Sequence, residues 1–392
     1  MDTQTLRYTD DAKATVPLHQ MILEETISED SHAAFTSTCE QTINFLRDSN
    51  RHDQSPPTDL FTFAFVILSR YEEYLQFDPD QHGRFTSSHS ILKELGILRT
   101  PIVDHVLLWF STYVNVNLGI DLTRKQQQTT HMTFDIDHLW QYKNKSTAVS
   151  TGGLLKDLMR LDFTAITERI RVNQGRLTDH YDLSRWENYM DFTKVTFFIL
   201  MNHRTQYDKG ISPEHPAFAK AINQLKSTSP LGIHPGYETS SNIDNLSTQI
   251  SIYHSLVNAK PTLSRQHYLR LRLPITYRLL IRAGIKDEYS MGYADDIGYR
   301  AGTSRPFLWY DLESESATTL TLYPFAVMDV TLVKYLGLSP RDAFTQVKKI
   351  RNAAAKVGGT CRLIWHNSSP FWVSPWSPYL DTFQLFNGSK SG

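Results

Sequence analysis

Short apolar runs alternate with longer amphipathic stretches from residue 131 onward, and this alternation restricts the possible folds more than any other feature. Strands that alternate with helices are typical of βα units around a parallel sheet. Because about 260 residues follow this pattern and a (β/α) barrel commonly has about 250, we predict an α/β fold of the (β/α) barrel type. The predicted strands are HMTFDID, KVTFFIL, LGIH, TLTLYPF and CRLIW, and the predicted helices lie near residues 154–161, 217–225 and 249–259, after Pro274, and over residues 341–356.

The residues before this pattern are mainly helical in character. Thr58 or Asp59 caps a helix whose apolar residues recur at helical spacing. The charged, aromatic segment that follows is predicted to remain helical to about Phe77. A further helix begins at Pro101, where a first helical turn accepts a proline.

A polar run separates the two patterns. Residues 121–130, DLTRKQQQTT, lack apolar periodicity and predict a linker. We therefore predict two domains: a smaller, mainly helical α+β domain over residues 1–130 and the barrel over residues 131–392.

Composition excludes several classes of protein. Apolar residues make up 40% of the chain and charged residues 21%, which is unlike a disordered chain. The net charge of -1 gives no overall attraction to nucleic acid or to an anionic membrane, and no apolar run has the length of a membrane span. The N-terminus lacks the pattern of a signal peptide, and two cysteines, Cys39 and Cys361, are too few for a disulfide framework. We expect a cytoplasmic protein.

A pair of carboxylates lies in the run TFDID. The two-residue period of a strand points Asp135 and Asp137 to the same side, where their charges repel. A divalent cation removes this conflict, because one carboxylate can bind the ion while the other remains ionised as a proton acceptor. The alternative is that both are loop aspartates that cap a helix.

Three more polar groups follow predicted strands, where parallel α/β folds have their active sites. His234 precedes a Pro-Gly turn and is either a zinc ligand or a hydrogen-bonded surface residue. Arg300 can hold Asp135 in its ionised form or make an ordinary surface ion pair. His366 ends the strand CRLIW and is either a general acid or a structural residue beside Trp365.

In this order, the motifs resemble those of the polysaccharide deacetylases of carbohydrate esterase family 4, over roughly residues 131–370. TFDID is similar to that family's TFDD motif, which implies that Asp135 is the catalytic base and Asp137 a metal ligand. GIHPGY is similar to the second motif, whose leading His binds the metal, and this implies that role for His234.

The later motifs imply the rest of a catalytic site by the same resemblance. GYRAGTSRPF resembles the motif whose Arg orients the base, here Arg300, with backbone N–H groups near Gly302 to Ser304 as the oxyanion site. IWHN resembles the motif whose His protonates the leaving amine, here His366. Asp329, in PFAVMD, corresponds to the acid that tunes this His.

One position departs from the family pattern. The second motif normally has another His four residues after the first, and position 238 is Glu in this chain. Either His267, in SRQHYL, or Glu238 itself could replace the missing ligand. We predict His267, because a second carboxylate beside Asp137 would make a more anionic site than catalytic zinc usually has.

The resemblance implies a Zn²⁺-dependent hydrolase that removes an N-acetyl group, or a similar acyl amide, from a carbohydrate, and the net charge gives no reason to expect a nucleic-acid or membrane partner. Two alternatives remain open. A DxD pair also binds the metal of a nucleotide-sugar glycosyltransferase, although the chain has no Gly-rich nucleotide loop. The missing second-motif His also allows a catalytically silent carbohydrate-binding protein on the same scaffold.

The N-terminal region has a resemblance of its own. SRYEEYL, HGRF and LRTPIVD resemble an accessory segment, without a defined role, that precedes the deacetylase domain in some bacterial relatives. Its charged and aromatic residues could line a rim of the substrate groove or only stabilise the barrel.

Overall fold

The N-terminal part of the chain is helical. The computed structural model describes residues 29–47, 56, 58–122 and 129–386. The helices of the first part are α1 (Glu29–Arg47), α2 (Leu60–Ser69), α3 (Ile91–Glu94) and α4 (Ile102–Leu118). No strand occurs among the described residues up to 122, so this region is helical rather than α+β.

Helix α2 begins where the sequence predicts and ends earlier. The side chain of Asp59 accepts hydrogen bonds from the second and third N–H groups of the helix at 2.9 and 3.0 Å, as an N-cap does. The helix ends at Arg70, which has a left-handed φ of 59°, and a single 3-10 turn follows at Tyr71–Glu73. The predicted extension to Phe77 was wrong, because Arg70 turns its Nε back onto the buried Glu73 carboxylate at 2.7 Å.

The second part contains one sheet, in which neighbouring strands are parallel except for β6 and β7. The strands are β1 (Thr129–Ile136), β2 (Val195–Leu200), β3 (Leu231–His234), β4 (Leu263–Ser264), β5 (Asp287–Glu288), β6 (Phe307–Asp311), β7 (Ser316–Leu322), β8 (Val327–Met328) and β9 (Thr360–His366). Their order is β6-β7-β5-β4-β3-β2-β1-β9-β8. The five predicted strands correspond to β1, β2, β3, β7 and β9, whereas β4, β5 and β8 have two residues each and are too short for a periodic pattern.

Helices occupy the connections between most of these strands. They are α5 (Thr147–Met159), α6 (Phe163–Asn173), α7 (Pro216–Lys226), α8 (Ile243–Val257), α9 (Ile275–Arg282), α10 (Pro340–Lys356) and α11 (Leu380–Gln384). The predicted helices after Pro274 and over residues 217–225 and 341–356 are confirmed, and α8 begins earlier than predicted. No helix among the described residues combines the length and apolarity that a membrane-spanning segment needs.

The predicted linker overlaps the first strand. Strand β1 begins at Thr129, so the last two residues of the run DLTRKQQQTT belong to the sheet. Residues 123–128 of that run lie outside the described residues. The division of the chain at residue 130 remains a prediction.

The sheet is curved. Strands β4 and β1 are three positions apart, which would be roughly 14 Å in a flat sheet at about 4.8 Å per step. Arg265 directly follows β4, yet its Nη1 lies 2.6 Å from Asp135 Oδ1 and its Nη2 lies 2.7 Å from Thr133 Oγ1, both on β1. Side chains from distant strands therefore meet on one face. The strand order ends at β6 and β8, so hydrogen bonds between the described strands do not close a ring.

Two large buried apolar clusters form most of the interior, and a third, small one contains Phe325 and Ile364. One surrounds the sheet and includes Phe134, Phe197 and Trp365. The other lies among the N-terminal helices and includes Phe63, together with Tyr293 from the sheet-containing part. Each fully buried aromatic side chain of this size contributes about 1.5–3 kcal/mol to stability. The two parts are therefore held together by side-chain packing as well as by the chain that connects them.

Candidate metal and catalytic site

The predicted site residues lie at the carboxyl ends of parallel strands. Asp135 and Asp137 are at the end of β1, and His234 ends β3. His366 ends β9, where it is the register partner of Asp135. Because these ends meet at one edge of a curved sheet, side chains far apart in sequence come together. His267 follows β4 by three residues and joins them.

Asp137, His234 and His267 form a cluster whose donor atoms lie within 4.8 Å of one another. Asp137 Oδ1 is 3.3 Å from His234 Nε2 and 3.6 Å from His267 Nε2. This Oδ1 is buried and accepts no hydrogen bond within the described residues. A buried carboxylate oxygen without a donor is costly unless a cation binds it. Two imidazole nitrogens and one carboxylate oxygen are a donor set that zinc prefers.

Each imidazole is oriented from its other nitrogen. His234 Nδ1 lies 2.5 Å from the Arg265 carbonyl oxygen, and His267 Nδ1 lies 2.6 Å from Asp208 Oδ1. A proton donated from Nδ1 fixes the tautomer in which Nε2 carries a free lone pair. Both Nε2 atoms therefore face Asp137 ready to bind a metal ion.

The cluster is electrostatically suited to a cation. Burial alone would raise the pKa of the Asp137 carboxyl, but the imidazoles of His267 and His234 hold it well below its usual range. Burial alone would lower the pKa of His234, but the carboxylates of Asp135 and Asp137 raise it. The carboxylates thus make this position attractive to positive charge.

Glu238 is not part of the cluster. It is exposed in the 3-10 turn Tyr237–Ser241 that follows β3. Of the two residues considered for the missing ligand, His267 is the one whose ring nitrogen lies with Asp137 and His234.

A second carboxylate lies beside the cluster and is held by Arg265. Asp135 Oδ1 receives the bond from Arg265 Nη1, and Oδ2 lies 3.9 Å from both His234 Nε2 and His366 Nε2. Arg265 is fully buried, and its Nε donates to the Tyr289 carbonyl at 3.1 Å. One carboxylate oxygen of Asp135 is thus fixed, and the other faces the two imidazoles.

His366 is oriented by Asp329. Its Nδ1 is 2.7 Å from Asp329 Oδ1, and its backbone N–H donates to Asp329 Oδ2 at 2.9 Å. Burial alone would lower the pKa of His366, but Asp329, with Asp137 and Asp135, raises it to about 10. A protonated imidazole that points at Asp135 is arranged to donate a proton.

The predicted contact between Arg300 and Asp135 was wrong. Arg300 is buried against the N-terminal region, where its Nε and Nη2 bond to Glu73 at 2.8 and 2.5 Å. Its Nη1 donates to the Gly292 carbonyl at 3.0 Å. A buried carboxylate needs a cation as its partner. Glu73 therefore accepts from the guanidinium N–H groups of Arg300 that the sequence suggested would bond to Asp135. Arg265 makes the contact with Asp135 instead.

Two of the three predicted oxyanion donors are already bonded. The N–H of Gly302 donates to the Tyr299 carbonyl at 2.9 Å, and the N–H of Ser304 donates to Asp104 Oδ2 at 2.9 Å. Gly302 packs against helices α2 and α4 of the N-terminal region, with a φ of 61°. This segment joins the two parts of the chain.

Sequence reasoning missed Arg265 and Asp208. Arg265 lies in SRQHYL, in which the sequence points to His267, and the preceding strand has two residues. Asp208 lies in a loop, and its role depends on a contact with a residue 59 positions away. The signal for Arg265 in the sequence is a charged residue two positions before His267.

These groups face a cavity of about 720 Å³. Its other lining side chains are mostly aromatic or basic, and two come from the N-terminal region. They include Tyr181, Tyr207, Lys209, Tyr268, Lys334, Tyr335 and Trp376, with Gln81 and Arg84 from the N-terminal region, and the apolar Leu269, Met328 and Val330 also line the cavity. An aromatic cavity with a few polar groups is typical of a small-molecule site.

A buried carboxyl lies behind this site. Both oxygens of Glu288 accept the Ser290 N–H at 2.9 Å, and Ser290 Oγ accepts the Gln266 N–H at 2.8 Å. Burial raises the pKa of Glu288 to about 7, although the bonds from Ser290 and the charge of Arg265 oppose this rise.

We expect the free energy of unfolding to fall as pH rises from about 4.5 to about 7, because of Glu288. In that window the unfolded chain releases the proton and the folded chain keeps it. The rise of the Glu288 pKa from 4.5 to about 7 corresponds to about 3 kcal/mol of stability. This stabilisation is fully lost once the pH exceeds the pKa of the folded state. Urea unfolding near pH 5 and near pH 7.5 should show that Glu288→Gln loses this dependence and that Glu187→Gln, at an exposed position, keeps it. Equal pH dependence in the wild type and Glu288→Gln would contradict the expectation.

Comparison with known proteins gives one family match and several distant structural likenesses. Residues 2–118 match DUF7033, a family of unknown function. No curated protein matches the chain.

Three solved structures resemble the chain at low identity. A protein from Mycobacterium smegmatis that is assigned as a polysaccharide deacetylase is 15% identical, with a TM-score of 0.42, covering 67% of this chain and 85% of its own. The polysaccharide deacetylase Bc1974 from Bacillus cereus is 10% identical, with a TM-score of 0.29, covering 66% and 88%. The 7,8-dihydropteroate synthase from Vibrio fischeri ES114 is 10% identical, also with a TM-score of 0.29, covering 68% and 95%.

Proposed function

We propose that the chain is a metal-dependent hydrolase that removes an N-acetyl group, or a similar acyl amide, from a carbohydrate. On this proposal residues 131–392 form a (β/α) barrel of the polysaccharide deacetylase type. One observation carries it: the Asp137, His234 and His267 cluster lies beside a second carboxylate, Asp135, whose free oxygen is 3.9 Å from His366. A metal site, a base and an acid are the three parts that amide hydrolysis needs.

The metal would be held by Asp137 Oδ1 and the Nε2 atoms of His234 and His267. Bound zinc lowers the pKa of water toward about 7 and draws electron density from a carbonyl oxygen. Asp208 and the Arg265 carbonyl keep the two imidazoles in the tautomer that binds metal.

The other residues move protons. Asp135 accepts a proton at Oδ2 as water attacks the acyl carbon, and Arg265 fixes this carboxylate at Oδ1. His366 donates a proton from Nε2 to the departing nitrogen while Asp329 holds its Nδ1. Each such acid or base contributes about 10²–10⁴ in rate.

The aromatic cavity supports a sugar as the substrate. Tyr207 and Tyr268 line the cavity, and both contact Tyr237: Tyr207 stacks on it with ring centroids 3.8 Å apart, and Tyr268 meets it edge to face at 5.3 Å. Rigid aromatic faces beside a few polar groups suit a ring that is apolar on its faces and polar at its edges.

The site favours hydrolysis over glycosyl transfer. In a DxD glycosyltransferase the carboxylate pair serves the metal of the nucleotide sugar. Here one oxygen of Asp135 is bonded to Arg265, and of the two aspartates only Asp137 belongs to the candidate metal cluster. On this proposal His267 supplies a third donor, which supports a metal-dependent enzyme over a catalytically silent protein.

Zinc content tests the ligand set. Asp137→Ala and His267→Ala should each bind zinc at least about tenfold more weakly than the wild type, because each removes one of three donors. Glu238→Ala is the matched control and should keep full zinc content. Zinc per chain is measured by atomic absorption after dialysis. Loss of zinc only in Glu238→Ala would reverse the ligand assignment.

Acetate release tests the reaction. The zinc-loaded wild type should release acetate from an N-acetylglucosamine oligomer, and Asp137→Ala should not. Oligomer binding without acetate release, with zinc or cobalt present, would favour a silent binding protein. Release of sugar from a nucleotide-sugar donor would favour a glycosyltransferase.

A further inference from the structure

The N-terminal region contacts the loop that carries His267. Residues Asp80–Arg84 (the 80s loop) face residues Gln266–Arg270 (the ligand loop), and the two exchange hydrogen bonds through arginines. Arg84 Nη1 donates to the Tyr268 carbonyl at 2.9 Å, and Arg270 Nε donates to the His82 carbonyl at 2.9 Å. Each loop therefore holds the backbone of the other.

The ligand loop needs such support. Tyr268 has a φ of 60° and Leu269 a φ of 54°, so two successive residues other than glycine are left-handed. L-residues rarely adopt this conformation, and it persists where surrounding contacts enforce it. Tyr268 directly follows His267, so a change in this backbone would move the ligand.

Arg84 is fixed on several sides. Its Nε bonds to Asp80 Oδ2 at 2.7 Å, and its Nη2 donates to the Tyr335 hydroxyl at 3.0 Å. The side chain is buried, and only 7% of its surface is exposed. Because its planar guanidinium also bonds to Asp80 and Tyr335, Arg84 is a rigid donor to the Tyr268 carbonyl.

The neighbouring 80s residues also adjoin the candidate site. The His82 ring lies 4.8 Å from the Tyr268 ring, and His82 Nδ1 is 3.1 Å from the Tyr237 hydroxyl. Gln81 and Arg84 line the 720 Å³ cavity together with the candidate metal ligands. One wall of the cavity is therefore built by the region that matches a family of unknown function.

We propose that the 80s loop of the N-terminal region is a working part of the candidate site, in which Arg84 is a positioning residue for the ligand loop. It holds Tyr268 in its left-handed conformation and so keeps His267 Nε2 beside Asp137. The use of His267 for zinc rests on the proposed function. The positioning of the ligand loop by Arg84 does not rest on the proposed function.

Arg84→Ala and Arg169→Ala form a matched pair for the test. Both arginines pair with an aspartate, at 2.6 Å for Arg84 and 2.7 Å for Arg169. Both also lie over a tyrosine ring, and both are largely buried. Arg169, on α6, pairs with Asp157, on α5, and it lines no part of the 720 Å³ cavity.

Two measurements are made on each full-length variant. Hydrogen exchange of the amides in residues 266–270 should be about tenfold faster in Arg84→Ala and unchanged in Arg169→Ala. The zinc dissociation constant, from competition with a chelator, should rise about tenfold in Arg84→Ala only. Arg84→Lys, which keeps the charge but can make only part of the fork, should give intermediate values and serves if Arg84→Ala does not fold.

The outcomes separate this proposal from the proposed function. Unchanged exchange in the ligand loop of Arg84→Ala, or an equal change in Arg169→Ala, overturns it. If the wild type binds no zinc, the proposed function fails, and hydrogen exchange in the metal-free protein still decides whether Arg84 positions the loop.

Discussion

Asp135→Asn is expected to keep zinc and to lower kcat by about 10²–10⁴-fold. Asp135 is not one of the three clustered donors, so its replacement leaves the metal site intact. Arg265 Nη1 requires an oxygen at the Oδ1 position, at 2.6 Å, so the asparagine must turn its NH₂ group toward His234 and His366. An amide nitrogen in that position cannot accept a proton.

Asp311→Asn is the matched control. Asp311 is a buried aspartate that is paired with an arginine, because Arg278 donates to its two oxygens at 2.6 and 2.9 Å. It lies on β6, outside the candidate site. Its variant should keep kcat within a small factor. Kinetics at saturating zinc, with zinc content measured on the same samples, check both variants. Full turnover by Asp135→Asn, or loss of its zinc, would contradict the role as base.

Four of the residues that the sequence predicts for the site have a role that depends on their own strand. Asp135, Asp137, His234 and His366 each lie at the end of a strand that has an apolar run long enough to recognise. In folds with parallel strands, binding and active sites lie at the carboxyl ends of the strands. The location of this site therefore follows from the strand pattern.

The residues that sequence could not assign depend on contacts across the fold. Arg265 reaches a strand three positions away because the sheet curves, and no local pattern encodes this curvature. Arg300 and Glu73 are separated by 227 positions, and the motif of Arg300 suggested a contact with Asp135 instead. The choice between Arg265 and Arg300 as the partner of Asp135 is therefore a tertiary property.

Glu73→Gln is expected to lower the free energy of unfolding by about 3–5 kcal/mol. Glu73 Oε1 accepts from Arg70 Nε at 2.7 Å, and both carboxylate oxygens bond to Arg300. Burial alone would raise the pKa of Glu73, but Arg300 and Arg70 lower it. The glutamine has nearly the same shape but no charge, so the buried Arg300 guanidinium loses its carboxylate.

Urea unfolding of Glu73→Gln and Glu313→Gln measures this difference. Glu313 also pairs with an arginine, Arg278, at 2.9 Å, but it is exposed, and its variant should lose at most about 1 kcal/mol. Because the pKa of Glu73 is lowered, its stabilisation is present at neutral pH and is lost on acidification. If Arg300 is structural, the folded Glu73→Gln protein keeps its kcat. A large loss of kcat without loss of stability would instead restore the catalytic role of Arg300 that the sequence motif implied.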